Sequence, residues 1–132
     1  ACSGHAVALG TFLLCCCDYR FGVKGEFMLG ANEMRTNMVI PTPILELIKF
    51  RVSNAHKYRA VLGAEMYTLE ASQAAGLVDE VVDPDSLMTA VSEKAKDLAT
   101  MGHPSYSMTK ELFIAEPMSK INAAMEELNK KS

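Results

Sequence analysis

The chain has 132 residues, of which 49% are hydrophobic, so it carries enough apolar material for the core of one ordinary domain. Thirteen basic and sixteen acidic residues give a formal net charge of −3. This charge is too small and too evenly spread to indicate a nucleic-acid surface. The composition therefore predicts one domain and no nucleic-acid partner.

The apolar run from Ala6 to Cys17 dominates the beginning of the chain. No basic segment precedes it, so it does not have the pattern of a signal peptide. Its length of about twelve residues falls short of the roughly twenty that cross a bilayer. We expect a buried helix at this position and no membrane partner.

The four cysteines do not have the spacing of a disulfide framework. Cys15, Cys16 and Cys17 are consecutive, and neighbouring residues on a helix or strand point in different directions, which does not suit ordinary bridges. We interpret the run as core side chains in a reducing, cytoplasmic compartment. No C-x-x-C or H-x-x-x-H pair accompanies it, so we predict no metal site.

The first half of the chain is predicted to alternate short strands with helices. Residues 1–6 are expected to form a short strand that turns near Gly4 into a helix ending at Cys17. The other predicted segments, in chain order, are an alternating stretch at 18–23, a turn at Lys24–Gly25, a strand at 26–29, a helix at 44–51, a helix at 54–62 capped by Ser53, a helix from the cap Thr68 to Gly76, and a strand at 77–83.

The second half is predicted to be mainly helical. Asp83 and Pro84 are expected to cap and open a helix that runs to about residue 100. A further helix is expected from residue 105 or 107 to about 115. Pro117 then begins the last helix, because a proline in the interior of a helix removes a hydrogen bond and clashes with the preceding turn.

The glycine-containing segment GHAVALG, residues 4–10, is the first candidate for chemistry. It lacks the defining residues of a phosphate-binding loop and of a dinucleotide-binding fingerprint. It has the pattern of a strand that turns into a helix, where unpaired backbone N–H groups can stabilise an oxyanion. The alternative is that these glycines only permit close packing.

Glu33 is the second candidate, because it lies between the apolar segments FMLGA and VIPTPIL. A carboxylate in such surroundings is suited to accept and return a proton near neutral pH. The alternative is a solvated carboxylate in a turn. His5, beside the glycine turn, is either catalytic or a packing residue with no nearby carboxylate to orient its ring. His56 and His103 have the pattern of surface positions.

Three blocks of sequence carry a resemblance to a known family. They are ACSGHAVALGTFLLCCCDYRFG, FMLGANEMRTNMVIP and AEMYTLEASQAAGLVDEVVDPDSL. In order and spacing they resemble the crotonase superfamily, which includes enoyl-CoA hydratases and isomerases. The resemblance implies an α/β fold built as a spiral of ββα units, of which the chain is the C-terminal half. Residues 1–83 are then the C-terminal part of the spiral core, and residues 84–132 a helical region of the type that forms trimers.

The family's glycine turn matches Ala8, Leu9 and Gly10 of this chain. In the family, the backbone N–H of the middle position is one of two donors in an oxyanion hole for the thioester carbonyl. The resemblance therefore implies that the Leu9 N–H is such a donor. It also implies that Ala8, Gly10, His5 and Phe12 line the substrate site.

The resemblance also implies one catalytic glutamate instead of two. One family glutamate matches Glu33, whereas the position of the other, common in hydratases, is Phe12. Hydration usually needs two carboxylates around a held water, but a double bond can move with one base and an oxyanion hole. This pattern predicts Δ3,Δ2-enoyl-CoA isomerase chemistry with Glu33 as the proton shuttle. The alternatives are an enoyl-CoA hydratase and a non-catalytic crotonase-like protein that binds an acyl-CoA or a partner.

The partners implied by the resemblance follow from the family's chemistry and assembly. The substrate is an acyl-CoA thioester, so coenzyme A is part of the substrate and no separate cofactor is expected. The expected assembly is a homotrimer or hexamer. The N-terminal half of the family's fold, which carries the second oxyanion donor, has no counterpart in this sequence. We therefore expect a fragment or one piece of a larger protein, inactive alone.

Overall fold

The computed structural model describes residues 1–130, in which five short strands form two small sheets. The first sheet contains β1 (Ala6–Val7), β3 (Met28–Gly30) and β4 (Tyr67–Thr68), in the order β1–β3–β4. The second contains β2 (Phe21–Val23) and β5 (Glu80–Val82). Strand β1 is parallel to β3 and β2 is parallel to β5, whereas β4 is antiparallel to β3. This confirms the predicted α/β class.

The helices surround these strands and fill the second half of the chain. The α-helices are α1 (Leu9–Cys15), α2 (Thr42–Arg51), α3 (Lys57–Val61), α4 (Leu69–Ala75), α5 (Leu87–Ala99) and α6 (Pro104–Asn129), and short 3-10 helices lie at Glu33–Arg35, Asn54–His56 and Pro84–Ser86. Residues 131 and 132, the end of the predicted helical region, lie outside the described residues. Within residues 1–130, no helix has the length and hydropathy needed to cross a membrane.

Both ends of α4 form as their sequence signals predict. The Thr68 hydroxyl oxygen accepts a hydrogen bond from the Ala71 N–H at 3.2 Å, which satisfies one of the free donors of the first turn. Gly76 ends the helix in the left-handed conformation with φ 80°. A Cβ there would lie 2.7 Å from the Arg51 carbonyl oxygen, so glycine is also required by the close approach of α2.

The first turn lies four residues later than predicted. Strand β1 continues to Val7, because Ala6 and Val7 pair with β3, and the turn falls at Ala8 instead of near Gly4. Helix α1 therefore spans only Leu9–Cys15.

The expectation that the cysteine run is core is wrong for two of its three members. Cys15 is buried on α1, but Cys16 and Cys17 are exposed, because the helix ends at Cys15 and the chain turns outward beyond it. All four cysteines, including the buried Cys2, are free thiols. The expectation of a reducing compartment stays a prediction.

The prediction of separate helices on either side of Pro117 is also wrong. Helix α6 continues through this proline, although the Phe113 carbonyl then lacks its usual helical donor. Two contacts support the helix there. The Phe113 ring meets Phe50 of α2 edge-on at 5.9 Å between centroids. An ion pair of 2.7 Å between Lys120 and Glu116 spans the proline. Packing of α6 against α2 thus stabilises a continuous helix despite the proline at position 117.

A buried arginine joins the β2 segment to the β5 segment. The Arg20 side chain is only 4% exposed, and its Nε and Nη2 donate to the two carboxylate oxygens of Asp79 at 3.0 and 3.1 Å. Its Nη1 donates to the Gly76 carbonyl at 2.8 Å. The backbone N–H of Arg20 also donates to Asp79 Oδ2 at 2.7 Å, and the Arg20 carbonyl accepts from the Asp79 N–H at 2.8 Å. This clamp links the two sequence blocks that contain Arg20 and Asp79.

We expect Asp79→Ala to lower the free energy of unfolding by about 3 kcal/mol, because it leaves the Arg20 guanidinium buried without a counter-charge. Asp83→Ala is the matched control, since it removes an exposed ion pair with Lys24 and should cost less than about 1 kcal/mol. Urea unfolding followed by circular dichroism measures both. Equal losses in the two variants would show that the clamp has no special role in stability.

Candidate functional site

The two sequence-predicted centres of chemistry lie at the same edge of the first sheet. Strands β1 and β3 are parallel with Val7 opposite Gly30, so the residues that follow each strand emerge on the same side. The Ala8 N–H donates to the Gly30 carbonyl at 2.9 Å, which extends the pairing by one step. The structure thus brings the first turn of α1 and the segment that carries Glu33 to one edge.

The turn before α1 holds a strained backbone at the position matched to a family glycine. Ala8 has φ 52° and ψ −117°, a backbone conformation that residues other than glycine rarely adopt. Leu9 follows as the first residue of α1, and its N–H belongs to the first turn, where no intrahelical acceptor exists. Its side chain is 63% exposed. The geometry leaves the Leu9 N–H available to an oxygen atom from outside the helix.

The packing of α1 on β1 does not require glycine at position 10. A Cβ at Gly10 would lie 3.5 Å from the Ala6 Cβ, an ordinary van der Waals distance. A Cβ at Gly4 would likewise lie 3.9 Å from the nearest Phe27 atom, so neither glycine of this segment is required by close packing.

Thr11 forms hydrogen bonds with both β1 and β3, a role that its sequence context did not predict. Its buried hydroxyl lies 2.6 Å from the Ala6 carbonyl oxygen and accepts from the Gly30 N–H at 3.0 Å. Gly30 itself has φ 154°, and a Cβ there would lie 2.8 Å from the Glu65 carbonyl oxygen. A polar residue within an apolar helix was the available sequence signal for this tie.

Glu33 begins the 3-10 helix that follows β3. The residue is 5% exposed, which excludes the alternative of a solvated carboxylate in a turn. Its Oε2 atom is buried and has no hydrogen-bond partner within residues 1–130. An unsatisfied buried carboxylate oxygen is costly, and such groups persist in folded proteins where they serve binding or proton transfer. Glu33 is thus the side chain with the clearest capacity for chemistry.

The structure places the other two predicted site residues, His5 and Phe12, in packing contacts. His5 precedes β1, at the opposite end of the strand from Leu9. Its Nδ1 accepts from the Met28 N–H at 3.1 Å, and its ring meets Phe27 edge-on at 5.4 Å. Phe12 is buried in the hydrophobic core. His5 therefore acts here as a packing residue, and Phe12 presents an apolar ring where a carboxylate was considered.

The candidate site is distinct from a large groove on the helical side of the described residues. That groove, of about 1000 Å³, lies between α2, α3 and α6, and its lining includes neither Leu9 nor Glu33. Its lysines Lys49 and Lys120 are paired with glutamates of their own helices. Residues 1–130 also hold no cluster of three or more His, Cys, Asp or Glu side chains suited to a metal ion.

Comparison of the chain with protein-family profiles and with curated protein sequences gives no match. Solved structures do match. An enoyl-CoA hydratase/isomerase family protein from Pseudomonas syringae has 36% sequence identity and a TM-score of 0.92, over 96% of this chain and 55% of that chain. An enoyl-CoA hydratase from Mycobacterium marinum has 30% identity and a TM-score of 0.90, over 98% of this chain and 57% of that chain. An enoyl-CoA isomerase from Mycobacterium tuberculosis has 29% identity and a TM-score of 0.90, over 98% of this chain and 57% of that chain.

The strand order, the turn at Ala8 and these matches define a crotonase-type α/β fold. The chain belongs to the crotonase superfamily, in which its neighbours are enoyl-CoA hydratase/isomerase family proteins, and it corresponds to the C-terminal portion of their fold. It spans a little more than half the length of these structures. The family resemblance and the fold class predicted from the sequence are thereby confirmed. The proposed boundary at residue 83 stays a prediction.

Replacing Ala8 by glycine should stabilise the protein by about 1 kcal/mol, because glycine adopts positive φ without the steric cost that Ala8 bears. Ala95→Gly, on the exposed face of α5, is the matched control and should destabilise by about 1 kcal/mol. Thermal and urea unfolding compare the two variants. A loss of stability in both would show that Ala8 carries no relievable strain.

The three adjacent cysteines should differ in reactivity. Burial raises the pKa of the Cys15 thiol to about 11, so at pH 8 this thiol stays protonated and enclosed. We expect iodoacetamide to label Cys16 and Cys17 but not Cys15 in the folded protein, and all three in urea. Peptide mass spectrometry reads the labelled positions. Labelling of Cys15 at the rate of Cys16 under native conditions would contradict this.

Proposed function

We propose that Glu33 is the general base of an acyl-CoA isomerase site. Its carboxylate removes a proton from C2 of a 3-enoyl-CoA thioester, and the C3–C4 double bond shifts as a dienolate forms. The same carboxyl group returns the proton to C4, which leaves the double bond between C2 and C3. The observation that supports this role is the buried Oε2 atom without a partner within residues 1–130.

The second element of the proposal is the Leu9 N–H as a donor to the thioester oxygen. The negative charge of the dienolate collects on that oxygen, and a fixed backbone donor there lowers the barrier. The turn at Ala8 supports the role, because α1 begins directly after it and the Leu9 N–H lies in the first turn of the helix, where no intrahelical acceptor exists. A backbone donor does not require glycine at this position.

The site needs a second donor, which we propose comes from the N-terminal half of the crotonase fold. The chain spans 55% to 57% of its structural neighbours, and the exposed Leu9 and Leu13 side chains of α1 offer an apolar surface for such a half. Coenzyme A enters as part of the substrate. We propose homotrimeric or hexameric assembly through α5 and α6, supported by the exposed Leu112 and Phe113 of α6.

Isomerisation is favoured over hydration by the residues around the site. Hydration needs a second carboxylate to hold water, and the position considered for it is the buried ring of Phe12. Hydratase activity is the second candidate function, because some of the structural neighbours are named hydratases. The Mycobacterium marinum protein is named an enoyl-CoA hydratase, and the Mycobacterium tuberculosis protein is named both an isomerase and a probable hydratase.

In the full-length protein, we expect Glu33→Gln to reduce both 3-enoyl-CoA isomerisation and exchange of the C2 proton with D2O by about 10³-fold, because the amide cannot accept the proton. Glu26→Gln is the matched control, since Glu26 is exposed in the turn before β3 and should retain full activity. Absorbance of the conjugated product and NMR of the exchanging proton measure the two rates.

Three other results would each contradict a part of this proposal. Retained exchange in Glu33→Gln would remove Glu33 from the mechanism. Water addition to crotonyl-CoA at a rate comparable to isomerisation would make the protein a hydratase. Tight binding of acyl-CoA by the wild type without any exchange would make it the non-catalytic binding protein.

A further inference from the structure

The turn that carries Glu33 is held mainly by bonds within itself. The Glu33 carbonyl oxygen accepts from the Thr36 N–H at 3.1 Å and from the Met38 N–H at 2.9 Å. The Arg35 N–H donates to the Asn32 carbonyl at 2.9 Å. The side chains at 34–39 are exposed, so this segment has little packing to fix it. A general base on such a turn needs an anchor outside the segment.

Arg35 provides that anchor. Its Nε donates to the Ala64 carbonyl oxygen at 3.1 Å, across 29 residues of sequence. Within residues 1–130, this is the only hydrogen bond that joins residues 33–40 to a distant segment. Because Arg35 ends the 3-10 helix that Glu33 begins, the bond restrains the helical turn from the end opposite the carboxylate.

The acceptor itself lies on a rigid turn. Ala64 is 1% exposed, has φ 44°, and donates its N–H to the Val61 carbonyl at 3.3 Å. The Glu65 N–H donates to the Arg59 carbonyl at 3.0 Å, which fixes the turn to α3. The Glu65 carbonyl oxygen also lies so close to Gly30 that a Cβ there would be 2.8 Å away. The turn therefore contacts β3, the strand from which the Glu33 segment extends.

We propose that Arg35 is a positioning residue, which sets the place of the Glu33 carboxylate by fastening its turn to the Ala64 carbonyl. This inference rests on the proposed proton-shuttle role of Glu33. Within residues 1–130, the Arg35 side chain bonds to Ala64 and not to Leu9, the proposed thioester donor, so we expect its loss to slow proton transfer and to leave substrate affinity unchanged. A shift of a base by about 1 Å costs up to about 100-fold in rate.

The test compares Arg35→Met, which keeps the length of the side chain but cannot donate, with Arg35→Lys, which keeps a donor. In the full-length protein, Arg35→Met should lower kcat for 3-enoyl-CoA isomerisation by about 10- to 100-fold, with KM within about twofold. Arg35→Lys should restore kcat to within about fivefold of the wild type. Arg59→Met is the matched control, because in the described part of the chain the Arg59 side chain forms an ion pair with the Glu65 carboxylate at the exposed side of the same turn. Its loss should leave kcat unchanged.

Amide hydrogen exchange supplies a readout that does not depend on activity. Arg35→Met should raise the exchange rates of the Thr36 and Met38 amides by at least about tenfold, whereas Arg59→Met should not. Unchanged exchange, or an unchanged kcat in Arg35→Met, overturns the positioning role. A wild type without isomerase activity overturns the proposed function, and the exchange rates then still decide whether Arg35 fastens the turn.

Discussion

The ion pair between Arg20 and Asp79 is the constraint on which the arrangement of the chain depends. It joins residues 59 positions apart, and the parallel pairing of β2 with β5 begins directly beyond it, at Phe21 opposite Glu80. Closing a loop of this length costs conformational entropy that short strands cannot offset alone. The bidentate contact and the added backbone bonds fix register as well as distance. Glu33, β3 and β4 lie within the closed loop, whereas β1 and the first turn of α1, which carry the other part of the candidate site, precede it.

The site itself depends on backbone atoms more than on side chains. The Gly30 carbonyl and N–H bind Ala8 and Thr11, and these contacts set the direction in which the first turn of α1 points. Because the proposed donor at Leu9 is an amide, side-chain identity there is weakly constrained. Glu33 is the exception, since its carboxylate has no equivalent in the backbone. One side chain and one amide at the ends of two parallel strands are therefore sufficient to define this part of the site.

Local signals in the sequence predicted local structure well. Thr68 and Gly76 mark the two ends of α4 because their effects act within one turn of helix. Features that depend on packing were not predictable in this way. Helix α6 continues through Pro117 because α2 supports it, and Cys16 is exposed because α1 ends one residue earlier. Glu33 is likewise buried although the six residues that follow it are exposed, a contrast that its apolar flanks alone do not predict.

The chemistry that this arrangement can support follows from what surrounds the carboxylate. A base that both removes and returns a proton must hold that proton between the two steps without losing it to solvent. Burial of Glu33 and the lack of a partner for Oε2 within residues 1–130 meet this requirement. An apolar Phe12 in the core holds no water for addition to a double bond. Under the proposed function, one buried carboxylate and an apolar side chain at the position of a second carboxylate favour moving a double bond over hydrating it.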